Sequence, residues 1–162
     1  MPATFQIAGP TTVQVDTTGT YVTLGFSDND NLPSIQFTDN HHEIKTVTSG
    51  NVPAEIVLTG TSARISLALV KWNEDVLVAL LAKQRGAANA ADVGHPLVSG
   101  SRTFGIKIFS NVNGMLYEFK RCYLQADGQS DSQWGNRERV LTLNFSAIPD
   151  SSVELFTYTA QA

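Results

Sequence analysis

The chain has 162 residues, 42% of them hydrophobic and only 16% charged, with a formal net charge of -4. That allows one domain of ordinary size, burying roughly 70% of the surface its unfolded chain exposes, with a charged fraction well below the roughly 25% of a typical soluble domain. No stretch of about 18 apolar residues is present to span a membrane as a helix, 11 Lys and Arg against 15 Asp and Glu are the wrong balance for neutralising phosphates, and the single Cys122 excludes an internal disulfide or a cysteine-based zinc site.

Met1-Pro2-Ala3-Thr4 lacks the basic and apolar regions of a secretory signal, so the expectation is a chain made in the cytosol. The first clear alternation lies at residues 20–26, where Val22, Leu24 and Phe26 share one face against Tyr21, Thr23 and Gly25. Residues 39–53 hold a strand-like run, Ile44, Thr46 and Thr48 against Lys45 and Val47, broken at Ser49-Gly50; this predicts a hairpin arm extending from the body. Ala63, Ile65, Leu67 and Leu69 mark the next half-buried strand.

The period then changes. From Asn73 to Gln84, Val76, Leu77, Leu80 and Leu81 recur at helical spacing. Asn73 suits the N-cap, Glu74 and Asp75 the positive end of the dipole, Lys83 and Arg85 the negative end, and Gly86 the left-handed stop. Residues 86–101 are small and nearly uncharged and read as a flexible loop. Strands resume with Phe104, Ile106 and Ile108; Asn113-Gly114 is a strong hairpin signal before the run from Met115, and Asp127-Gly128 closes that run. Trp134 stands inside the polar stretch 127–137, either folded back or serving as an anchor for another chain. Leu141, Leu143 and Phe145 give the last alternating strand. The sum is a mainly β chain, an antiparallel β-sandwich or barrel with one flanking helix at about 73–84 and no internal repeat, linker or second domain.

Candidate chemistry is sparse. His41 and His42, with Asp39 and Glu43, invite a metal reading, but adjacent strand residues point to opposite faces and His41 with Glu43 supplies only two ligands. A solvated hairpin edge that discourages stray pairing fits better. Asp28-Asn29-Asp30-Asn31 opens like a calcium loop, yet Leu32 and Pro33 stand where an oxygen ligand and glycine belong, which favours a polar turn. Cys122, among Phe119, Tyr123 and Leu124, reads as a small buried hydrophobe rather than a nucleophile. Phe119, Tyr123, Phe156 and Tyr158 alternate between strand faces with little basic charge nearby, so core or interface packing is favoured over base stacking. No phosphate-binding glycine loop is present, Asn144-Phe145-Ser146 is a chance glycosylation match, and neither a cofactor site nor a catalytic constellation emerges. The expectation is a protein without enzymatic activity.

Four stretches together resemble the tail tube (major tail) protein family of long-tailed bacteriophages: the strand pair 11–16 and 20–26, the arm 39–53, the strand 63–70 running into helix 73–84, and the C-terminal hairpin from 117–124 to 139–147, which ends Leu141-Thr142-Leu143-Asn144-Phe145-Ser146-Ala147-Ile148-Pro149-Asp150. The resemblance implies a virion protein, synthesised in the host cytoplasm, whose homo-oligomeric hexameric rings stack into a tube. It implies as partners the tape measure, baseplate and terminator proteins and, where there is one, a sheath, while DNA passes through the lumen without specific binding. It also implies inter-ring contacts by residues 1–10, the C-terminal tail and the arm, with Asp39, His41, Glu43, Lys45, Thr48 and Asn51 as candidates and Trp134 as an interface anchor. Two rivals stay open: a terminator or baseplate ring protein of the same lineage, and a monomeric carbohydrate-binding β-sandwich using Trp134 with Asp131, Gln133 and Asn136.

Overall fold

The alternating runs become strands of one antiparallel sheet. The computed structural model describes residues 10–27, 33–87, 94, 96–98, 101–110, 116–124, 131–133, 140–150, 152 and 154–159. In chain order the strands are β1 (Thr11–Asp16), β2 (Tyr21–Phe26), β3 (Ser34–Ile44), β4 (Glu55–Leu69), β5 (Lys71–Trp72), β6 (Phe104–Ser110), β7 (Leu116–Leu124), β8 (Asp131–Gln133), β9 (Val140–Ala147) and β10 (Thr157–Thr159), with α1 (Glu74–Arg85) between β5 and β6. The sheet order is β3-β4-β9-β7-β6-β1-β2-β5, with β8 added to β9 and β10 to β7. The fold is mainly β with a single helix among the described residues.

One chain segment links the two margins of this sheet. β4 lies beside one margin and β5 forms the other, yet only Val70 separates them. The sheet therefore curls into a barrel-like closure, with β5 pairing β2 through Gly25↔Trp72 and Phe26↔Lys71. The Val70 amide donates to the Phe26 carbonyl at 3.0 Å and the Asn73 amide to the Leu24 carbonyl at 2.7 Å, so the corner keeps its backbone groups satisfied. A Cβ on Gly25 would lie 2.4 Å from the Lys71 carbonyl oxygen, which makes glycine the residue that permits the approach.

Inside the closure the expected faces meet. Ala63, Ile65, Leu67 and Leu69 of β4 lie against Leu141, Leu143, Phe145 and Ala147 of β9 in register, and with Val13, Val15, Phe104, Ile106, Ile108 and Phe119 they form one buried core. The rings of Phe104 and Phe145 meet edge to face at 5.6 Å. At one end α1 covers the core with Leu77 and Leu80 buried and Val76 and Leu81 packed beside them. The Asn73 side chain accepts from the Asp75 amide at 3.0 Å, and Gly86 ends the helix at φ 87°. Gln84 ties the helix to β7: its side chain accepts from the Leu124 amide at 2.7 Å and donates to the Leu124 carbonyl at 3.3 Å, replacing a missing strand partner.

Two local expectations change. Leu24 is fully buried, but Val22 and Phe26 are exposed. A register shift at Val13/Gln14, where Gly25 and Thr23 become successive partners, leaves Leu24 as an extra residue and breaks the alternation. β3 ends at Ile44, so Thr46 and Thr48 belong to a turn rather than a strand. The Asp28–Asn31 turn, Asn113-Gly114, Asp127-Gly128 and most of the 86–101 loop lie outside the described residues.

Gly25→Ala is expected to lower stability by about 1–3 kcal/mol through overpacking at the corner, whereas Gly60→Ala, whose Cβ would meet nothing nearer than the Asn40 side chain at 4.0 Å, should leave it unchanged. Thermal unfolding of the two variants checks the contrast; equal midpoints would remove the corner from the account.

Candidate assembly interface

The arm is larger than the sequence pattern implied. β3 and β4 pair from Ser34↔Ser66 to Ile44↔Glu55, but β9 pairs with β4 only between Ala63 and Leu69. Beyond that point the two strands continue as a ribbon from the pair Thr38↔Ser62 outward, so the arm comprises residues 38–62 rather than 39–53. At about 3.3 Å per residue it carries its tip roughly 25 Å from the barrel. Among the described residues no strand pairs with the outer edge of β3.

A compact turn closes the ribbon. The Ser49 hydroxyl accepts from the Thr46 amide at 2.8 Å and donates to the Thr46 carbonyl at 3.0 Å, while the Ser49 amide donates to that carbonyl at 3.1 Å. The Ala54 amide donates to the Ile44 carbonyl at 2.8 Å and locks the base of the turn. Thr48 touches the Thr46 hydroxyl at 3.1 Å, and Asn51 is exposed in the same loop.

The proposed contact residues divide between two settings. Asp39, His41 and Glu43 share one face of β3, opposite Thr61, Leu58 and Ile56. Asp39 accepts from the Thr61 hydroxyl at 2.9 Å, and Glu43 lies 3.8 Å from Lys45 in a solvent-exposed ion pair. Such a pair contributes little to stability. His42 lies on the opposite face, across from Val57. Among the described residues, no group of three or more His, Cys, Asp and Glu side chains converges to hold a metal ion.

The sequence reading missed the apolar component. Val47 is fully exposed, Val52 68%, Leu58 57%, Ile56 55% and Val57 43%. Scattered exposed apolar residues are ordinary, whereas these five cluster on one projecting ribbon. The available signal was Ile56-Val57-Leu58, three consecutive apolar residues that would need burial on both faces of a strand. A register shift between Asn40 and His41 turns Leu58 onto the face that Ala63 and Ile65 use in the core.

An aromatic cluster fixes the base of the arm. Phe156, just before β10, packs against Phe37 of β3 at 5.0 Å between ring centroids, Phe119 at 5.8 Å, Tyr117 at 5.9 Å and Tyr158 at 6.4 Å. Phe119, Phe156 and Tyr158 thus meet in one cluster rather than alternating between faces. Tyr123 is separated from them by a register shift in the β6–β7 pairing. The turn that delivers Phe156 is built on Asp150, whose carboxylate accepts from the Ser152 and Glu154 amides at 2.8 and 3.0 Å. The Glu154 amide above all, then the Ser152 amide and the charges of Lys120 and Arg121, hold the Asp150 carboxyl below its usual range.

Two further titratable groups are shifted by their surroundings. Cys122 is buried, and burial pushes its thiol up. Burial, then the hydrogen bond donated to Glu118 at 2.9 Å, pushes the Tyr21 hydroxyl up as well. Trp134 and Asn136 lie outside the described residues.

No family model and no curated protein matches the chain. Among solved structures it is similar to a chain from the virion of a native gene transfer agent particle, at 13% identity over 91% of this chain and 95% of that one, with a TM-score of 0.49. It is also similar to an Hcp protein, at 8% identity over 95% of this chain and 100% of that one, with a TM-score of 0.33.

Phe156→Ala should cost about 2–4 kcal/mol and speed amide hydrogen exchange at residues 34–38 more than in β6; uniform acceleration would show that Phe156 has no particular hold on the arm. Because the folded-state Asp150 carboxyl lies below its unfolded value, the stability it contributes is present above the unfolded pKa and is lost as pH falls through the folded one. Asp150→Asn should therefore flatten the acid limb of the exchange rate at residues 154–159.

Proposed function

We propose that this chain is a structural subunit of a phage-type tail tube, assembling into stacked rings of six that form the conduit for genome delivery. The observation that carries the reading is the arm: a two-stranded ribbon, fixed at its base by an aromatic cluster, that presents Val47, Val52, Ile56 and Leu58 beyond the body of its own subunit. A two-stranded ribbon is marginally stable in water by itself and gains from packing on another surface. In the proposed tube, that surface belongs to the next subunit.

Three further features support the reading. The sequence resembles the tail tube family over most of its length. The low charged fraction suits a surface destined for other copies, where unpaired charges are costly. The net charge of -4, repeated around a channel, would repel phosphate and leave the genome free to slide. Tape measure, baseplate and terminator proteins would meet the ends of such a tube.

Deleting residues 48–52 should give a folded, soluble subunit that no longer elongates, because Ile44 and Glu55 still close the ribbon. Electron microscopy of the concentrated protein, with and without the deletion, provides the test. Tubes that persist after the deletion reject the arm assignment, and an intact chain that stays monomeric under every condition rejects the proposal. Single rings that never stack would favour the terminator or baseplate reading.

A further inference from the structure

Two of the chain's three histidines lie side by side on the arm, where the other charges do not balance. Residues 38–62 carry Asp39, Glu43 and Glu55 against Lys45, a net charge of -2 from three acids and one base while His41 and His42 are neutral. With both histidines protonated, the arm has no net charge. Histidine is the side chain whose chemistry makes this change between about pH 5 and pH 8.

The ribbon sets carboxylates beside each ring. His41 shares its face with Asp39 and Glu43, each two residues away, or about 7 Å along the strand. Across the pair on β4 it meets only uncharged residues, Leu58 and, opposite Glu43, Ile56. His42 lies on the other face opposite Val57, with Glu55 diagonally across at about 7–8 Å. Lys45 is 3.8 Å from Glu43, residues 46–54 add no titratable group, and at the base Phe37 meets Phe156, also uncharged. These titratable side chains are all exposed, and their separations fall within the screening length of about 8 Å at physiological ionic strength.

We infer that protonation of His41 and His42 switches the arm from a repelling to an associating state, so that copies of the chain assemble more readily as pH falls from about 8 to about 6; the inference rests on the assembly reading above. Arms of like charge repel as two copies approach, and their solvated carboxylates oppose covering of the edge. A proton on His41, between Asp39 and Glu43, and another on His42, near Glu55, cancel that charge and give the carboxylates a partner with which they can be covered. Ile56, Val57 and Leu58, exposed on the same ribbon, then meet less opposition to burial.

Sedimentation velocity at matched ionic strength reads the concentration at which half the protein is assembled, at pH 8 and at pH 6. The unsubstituted chain should need about tenfold less protein at the lower pH, in line with the size of electrostatic effects on association. His41→Gln with His42→Gln keeps the arm acidic at both pH values and should remove most of that difference. A third protein combines these two substitutions with Thr18→His and Thr20→His, both in the exposed turn after β1. It regains the histidine count away from the arm and should behave like the double variant.

Assembly at the same threshold at both pH values, or a shift as large in the double variant, overturns the switch and leaves the assembly reading standing. A shift restored by the histidines at 18 and 20 also overturns it, because total charge rather than the arm is then responsible. A shift that depends on His41 and His42 but yields neither rings nor tubes by microscopy supports the switch and counts against the tube. No association of any of the three proteins at either pH removes both.

Discussion

β4 is shared between the core and the arm, and the rest of the structure follows from that sharing. Its C-terminal half places Ala63, Ile65, Leu67 and Leu69 in the barrel, fully or nearly fully buried, while its N-terminal half runs out as the inner strand of the arm. A strand is continuous, so the direction of the arm is set by the register β4 holds against β9. The same strand passes through Val70 into β5 and links the opposite margin of the sheet. Closure of the barrel and projection of the arm are therefore two consequences of one strand's path. Gly25 at the closing corner and Phe156 at the base of the arm act on the two ends of that path.

The scarcity of charge has a structural counterpart on the outer face of the same strands. Between the buried residues of β4 and β9 lie Ser66 and Asn144, opposite each other in register, with the Ser66 hydroxyl donating to the Asn144 side chain at 2.8 Å. Across the barrel, Lys107 lies opposite Glu118 and sits 4.0 Å above the Tyr21 ring, whose hydroxyl donates to Glu118. These polar groups are thus satisfied by their neighbours. A surface that has already met its hydrogen-bonding needs loses less on being covered by another chain than one carrying solvated charges.

Regular elements were legible in the sequence, whereas irregularities were not. The helix announced itself through spacing and end chemistry, and Asn73 and Gly86 cap it as those residue types dictate. The core faces of β4, β6 and β9 followed from strict alternation. β2 did not, because the register shift at Val13/Gln14 depends on where two distant strands meet, and single-strand periodicity carries no record of that meeting. The arm was visible as a hairpin but appeared too short, since the departure of β4 from β9 is a property of the sheet. His41, Glu43 and Asp39 drew attention because they are reactive, while Ile56, Val57 and Leu58 carry no chemistry that singles them out.

Those apolar residues sit among polar cross-strand neighbours. Along the arm, Leu58 lies opposite His41 and Ile56 opposite Glu43, so each exposed apolar side chain on this face has a polar or charged cross-strand neighbour. Charges beside a free edge oppose indiscriminate strand pairing, since a second flat strand would have to desolvate them. A contact that covers Val47 and Val52 while leaving Glu43 and Lys45 at its rim escapes that penalty. In the proposed tube the polar residues first read as the contact surface would have a different task from the valines: they would exclude wrong partners, and the apolar tip would supply the binding energy. Specificity and adhesion would then reside in different side chains of the same ribbon.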